Sequence, residues 1–220
     1  FNKSRLLYGY HLAKEQIYKK NQIIVCEGYL DVIMLHQAGF NTAVATLGTA
    51  LTVEHLPLLR RGEPKVILAY DGDKAGLAAA FKASVMLSQS EFEGGVIIFA
   101  DGLDPADMVH NGKISELNEI FSNPISYIPY SINYIVSKYD INEPNQKQKA
   151  LTEANEYLKT LSLLNQDEYK RYLAQKLNIR ENLIKISSNK QRTYEPNLTK
   201  IDIAELCIIK SILEKPKRLD

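Results

Sequence analysis

Four short, almost wholly apolar runs, "IIVCE", "TAVAT", "KVILAY" and "GVIIFA", fall between Ile23 and Ala100, each separated from the next by a longer amphipathic segment. A strand that is apolar at every position has no side to offer water, so both of its faces must be covered. The intervening segments carry helical spacing: "LDVIMLHQAG" closes on Gly39 as a C-cap, Thr52 caps "VEHLPLLRR" with Glu54 in its first turn, and "KAGLAAAFKASVMLS" follows the third strand. Strands alternating with helices build βαβ units, so the pattern predicts an α/β domain with a Rossmann-like parallel sheet.

Beyond Asn111 the strand pattern stops. "ISYIPYSINYIVSKY" places Tyr127, Tyr130, Tyr134 and Ile135 at helical spacing, and Leu151, Ala154, Leu158 and Leu161 recur at intervals of three and four. A small helical subdomain is expected here, with its tyrosines serving as core rather than as a platform for bases. "SSNKQRTYEPNLT" reads as a linker, and "IDIAELCIIKSILEKPKRLD" begins another amphipathic helix. The expected divisions are a helical lead-in over 1–21, the α/β domain over 22–118, the helical subdomain over 119–188, a linker over 189–200 and the start of a further domain over 201–220. The opening residues, lacking a methionine and already helix-like, suggest a fragment of a longer protein.

Composition narrows the class without naming a function. With 45% hydrophobic and 24% charged residues and no apolar run long enough for a membrane span, the chain reads as a soluble, cytoplasmic protein. Its two cysteines, Cys26 and Cys207, provide neither a disulfide framework nor a zinc site. A net charge of +1 leaves only a local basic groove as a route to nucleic acid.

The chemistry concentrates at strand ends. In an open parallel sheet the ligand crevice lies beyond the carboxyl ends of the strands. Glu27 ends the first strand, Asp71 and Asp73 follow the third in "AYDGDKAG", and Asp101 and Asp104 follow the fourth in "FADGLDPAD". Gly72 allows a tight turn between the paired aspartates. Gathered carboxylates repel by about 1 kcal/mol at 4 Å in water and about 4 kcal/mol at an effective dielectric near 20, so they need a countercharge or protons. With only oxygen donors in the set, magnesium or manganese suits it better than zinc, and such ions commonly act on phosphates. Any one of these acids alone is as readily a helix cap, Asp73 most of all. Receiver domains and several phosphohydrolases gather acids in the same place.

The wording of the motifs goes further. "VCEGYLDVIMLHQAGF", "AVATLGTALT", "VILAYDGDKAGLAAA" and "DGLDPADMV", in this order, resemble the Toprim module of bacterial DNA primases of the DnaG type, closely over residues 22–110 and more loosely on either side. The resemblance implies that Glu27, Asp71 and Asp73 hold two magnesium or manganese ions, with Glu27 also the acid/base. It makes Gly28 a compact turn and Asp31 and Asp104 supporting acids. Asp31 is equally well explained as a helix-start acid favoured by the dipole. "DPAD" departs from the family's third acidic element, putting Ala106 where a second acid would fall and Asp107 one step later.

The implied activity is synthesis of short RNA primers on a single-stranded DNA template from ribonucleoside triphosphates. The implied partner is a replicative helicase, bound through the C-terminal region, where "AELCIIKSILEKP" is similar to the opening of a helicase-binding domain. Another Toprim enzyme, a topoisomerase or nuclease, and a non-catalytic metal-binding or receiver-like module are the alternatives. Among basic residues, Lys3, Arg5, Arg60, Arg61, Lys65, Lys74 and Lys82 read mainly as solvated, and Lys74 is a weak candidate for nucleotide or template contact because it follows the acidic pair. His11, His36, His55 and His110 show no ligand spacing.

Overall fold

The computed structural model describes residues 5–46, 48, 50–99 and 103–186, all within one compact unit that runs to Ile186. The expected linker and the segment over 201–220 lie outside the described residues, as do Lys3, Asp101 and Cys207. Helix α1 (Tyr10–Lys20) leads into β1 (Gln22–Cys26), α2 (Tyr29–Gln37) and β2 (Ala43–Ala45). A 3-10 turn (Val53–His55) and α3 (Leu56–Leu59) precede β3 (Lys65–Tyr70), α4 (Lys74–Gln89) and β4 (Gly94–Ile98). Helices α5 (Pro105–His110) and α6 (Ile114–Ser122), strand β5 (Ile125–Ser126) and helices α7 (Tyr127–Ser137), α8 (Pro144–Leu158) and α9 (Leu163–Leu177) complete it.

The sheet has the order β2-β1-β3-β4-β5; its first four strands are parallel, with Ile24 level with Ala43 on one side and Ile67 on the other. Successive side chains of β1 enter opposite cores. Ile23 and Val25 pack with Val44, Leu68 and Leu87, whereas Ile24 and Cys26 pack with Leu35, Ile67 and Phe121. That two-sided burial is why the strands read as unbroken apolar runs, and each fully buried Ile or Leu contributes about 1.5–3 kcal/mol.

Two features were not expected from the sequence. β5 pairs antiparallel with β4 beyond the point where strands were expected to stop, Ile125 facing Val96. The run "VEHLPLLRR" is also no single helix: it splits into the 3-10 turn and the four-residue α3, with Pro57 near the helix start. A proline there fits only the first turn of a helix, because it has no N–H to donate.

Helix α7 serves both parts of the unit. Tyr127 and Tyr130 are buried against the sheet's core, their hydroxyls donating to the carbonyls of Val66 and Leu77, while Ile128, Ile132 and Ile135 pack with α8 and α9. Tyr134 stacks on Phe81 of α4 with ring centroids 4.5 Å apart. The tyrosine stripe is therefore packing. Two of the histidines are structural as well: the His36 ring lies 3.0 Å from the Ala43 carbonyl, and the fully buried His55 bonds to Thr52.

Candidate active site

Because β1 and β3 are parallel neighbours with Cys26 level with Ala69, Glu27 and Asp71 leave the sheet at the same edge. The Glu27 carboxylate, half-buried, lies 3.4 Å from the backbone N–H of Asp71, which donates to it. Asp73 caps α4, its Oδ1 accepting the N–H of Gly76 at 2.7 Å. Gly76 lets this turn close. A Cβ there would stand 2.3 Å from the Asp71 carbonyl oxygen and 3.0 Å from Glu27 Oε1, distances no side chain tolerates. Sequence reasoning missed Gly76, although a glycine inside the first turn of a helix, where it costs about 1 kcal/mol against alanine, is itself a signal.

Gly28 is extended and donates its N–H to Asp31 Oδ2 at 3.1 Å, tying the first turn of α2 back onto the end of β1. Asp31 is only 6% exposed. Asp104 caps α5 by accepting the Asp107 N–H at 2.6 Å, and the Gly72 N–H bonds the Leu103 carbonyl at 3.3 Å, which joins the loop after β3 to the one before α5. Gly72 does this without a left-handed backbone.

Glu27, Asp31, Asp71 and Asp104 line one cavity of about 600 Å3, with Tyr29 and Leu30 on its apolar side. Asp73 does not line it. Among the described residues none of these five acids forms an ion pair with lysine or arginine. Burial, reinforced by the Asp71 charge, pushes the Glu27 carboxyl up despite the Asp71 N–H. Burial also raises Asp31 to about 6, with the N–H groups of Gly28 and Ala106 opposing and the charges of Asp104 and Asp71 adding. Asp71 rises through burial and then the charges of Asp104, Asp73 and Asp107. Buried Cys26 feels the same field from beneath, its thiol raised by burial and by the surrounding acids.

The donor set fits a hard divalent cation: it is all oxygen and mutually repelling, and burial holds the carboxyls of Glu27, Asp31 and Asp71 above their usual values. As placed, no three acidic, His or Cys side chains among the described residues are close enough together to enclose an ion. Lys74, the first residue of α4, is exposed and forms no ion pair among the described residues. Arg60 and Lys65 stand at the opposite edge of the sheet, Lys65 starting β3 and Arg60 lying over the Phe92 ring.

Comparison with known proteins matches the Toprim domain to residues 21–101. This chain carries a Toprim domain. A second model, the DnaB-helicase binding domain of primase, matches residues 130–182, spanning most of α7 to α9 rather than the segment over 201–220. The chain is 56% identical over 174 residues to the DNA primase of Helicobacter pylori strain 26695, covering 79% of this chain and 31% of that one. It is 40% identical to the DNA primase of Campylobacter jejuni, covering 98% and 37%. This Toprim chain is thus a relative of bacterial DNA primases and spans about a third of their length.

Among solved structures, the DnaG primase catalytic domain bound to ssDNA superposes with a TM-score of 0.73 at 29% identity, covering 83% of this chain and 59% of that one. The Escherichia coli primase catalytic core superposes at 0.71 and 29%, covering 82% and 59%.

Proposed function

We propose that this Toprim chain is part of the RNA polymerase core of a DNA primase, a nucleotidyltransferase that makes short RNA primers on single-stranded DNA for replication. The observation that carries the reading is the meeting of Glu27, Asp31, Asp71 and Asp104 around one cavity without a protein cation to neutralise them, in a chain 56% identical to a DNA primase. In this reaction the 3′-hydroxyl of the growing RNA attacks the α-phosphate of a ribonucleoside triphosphate and pyrophosphate leaves. The division into an α/β part over 22–118 and a mainly helical part after it belongs to this proposal, with β5 the one strand that the later part returns to the sheet. The single-stranded DNA bound by a solved relative and the helicase-binding match over 130–182 support a template and a replicative helicase as partners. Among the described residues no helix is long and apolar enough to cross a membrane. The activity belongs in the cytoplasm.

Glu27, Asp71 and Asp73 would hold the divalent ions, two magnesium or manganese. When bound, such ions neutralise charge developing on the phosphate and orient an in-line attack. The chain's own groups do the rest. Glu27, its carboxyl raised by burial above its ordinary value, accepts the proton from the attacking hydroxyl. Asp31 accepts the Gly28 N–H and so fastens the start of α2 to the end of β1. Asp104 holds the start of α5 against the cavity, and Lys74, exposed at the start of α4, would contact phosphate or template.

In the complete primase, Glu27→Gln or Asp71→Ala is expected to lower template-dependent ribonucleotide incorporation by at least about 100-fold while leaving circular dichroism unchanged. Primer yield at the wild-type level in either variant overturns the reading.

A further inference from the structure

The stretch matched to a helicase-binding domain, residues 130–182, is described throughout, and within it Leu163 and Leu164 are the two large apolar side chains left exposed, at 64% and 76%. They open α9, whose inward face is made instead by Leu173, Ala174 and Leu177. A helix start favours acids, because its free N–H groups carry partial positive charge, yet α9 has none in its first turn. Two leucines facing water there add little burial to this fold, and paired exposed apolar groups beside a groove mark a surface that another protein covers.

The groove is there. Leu164 lines a cavity of about 630 Å3 together with Tyr169 of α9, Ile128 of α7 and Phe92, which lies between α4 and β4. Exposed Glu91 and Glu93 line it too, and among the described residues neither forms an ion pair, while Lys65 is the one cation on its walls. A nucleic acid would meet two carboxylates with one lysine, so the walls favour a protein that brings an apolar side chain flanked by lysine or arginine. Lys65 starts β3 and Gly94, also on the wall, starts β4, so the cavity stands at the edge of the sheet opposite Glu27 and Asp71. A protein docked there leaves the acidic cavity open to template and nucleotide.

We infer that the start of α9 and this cavity form a contact for the replicative helicase, which sets an apolar side chain of a basic segment against Leu164, Tyr169 and Phe92. The inference rests on the primase reading above and adds to it the place where the helicase meets this chain.

Titration of the complete primase against the replicative helicase of the same organism tests it, with primer synthesis in the absence of helicase measured alongside. Leu164→Glu is expected to weaken helicase binding by about tenfold or more, the loss typical of a central apolar anchor, while helicase-free primer synthesis and the thermal midpoint stay at the wild-type level. Glu93→Lys, which changes only an exposed charge, is expected to weaken binding by roughly three- to tenfold. If Leu164→Glu lowers the thermal midpoint, Glu93→Lys decides alone. Helicase affinity within about twofold of wild type in both variants overturns the inference and leaves the nucleotidyl-transfer reading standing. A wild-type protein that makes no primers overturns that reading, and the inference with it.

Discussion

At Gly76 the margin is one carbon atom. The missing Cβ is what lets the Asp71 carbonyl and the Glu27 carboxylate close over the first turn of α4 while Asp73 caps it. Gly76→Ala is therefore expected to gain helix propensity yet lose the site. Backbone at Asp71 must move, manganese affinity should fall by about tenfold or more, and any stability gain should stay below about 1 kcal/mol. Manganese titration alongside denaturant unfolding separates the two effects, and unchanged affinity would show that the close approach is incidental.

Asp31 offers a test in pH. Its folded value of about 6 lies above the ordinary 3.8, so the folded state holds the proton more tightly than the unfolded one. Stability of the metal-free protein should then be greatest below about pH 4, fall as pH rises toward about 6, and level off above that, by roughly 1–3 kcal/mol. Asp31→Asn, neutral throughout, should flatten the profile. An unchanged slope in urea unfolding across that range would assign the dependence to other groups. The sequence put Asp31 beside the acidic set but left a helix-start role equally open, and it does both: it lines the acidic cavity, and in the first turn of α2 it accepts the Gly28 N–H. The bond from the Gly72 N–H to the Leu103 carbonyl was not legible, because it depends on two loops meeting across the sheet edge.

Among the elements, the parallel strands were readable because burial on both faces leaves a solid apolar signature, and "KVILAY" matches β3 residue for residue. Strand β5 left no such signature: it is two exposed residues long, and its pairing rests on its partner. Gly94 and Gly95 open β4, and a Cβ on Gly95 would lie 2.4 Å from the Ile125 carbonyl oxygen, where β5 approaches. At Gly94, with φ +136, a Cβ would run into the Val66 carbonyl that Tyr127 bonds. Gly94→Ala should therefore cost about 3 kcal/mol or more, read as a lowered urea midpoint. A loss under about 1 kcal/mol would mean that the strand start can shift at little cost.

For the unit as a whole, the helical part is bound into the sheet's core. Tyr127 and Tyr130 belong to that core while the next turns of α7 belong to the helical cluster, so one helix serves two clusters. The periodicity of α7 announced a helix but could not say which of its faces met the sheet, since both are apolar. Ending the chain at Asn123 would strip the cover from Leu87 and Phe81, and the remaining α/β part should lose its single sharp unfolding transition and expose apolar surface to a hydrophobic dye. A sharp transition in that shortened chain would show that the sheet folds without α7.

Everything above about chemistry depends on whether the acidic edge holds a cation. Manganese diffused into crystals of the protein answers that directly by its anomalous scattering. A peak contacting both Glu27 and Asp71 is expected, lost in Asp71→Ala crystals. A wild-type crystal at saturating manganese with no peak at that edge would contradict it.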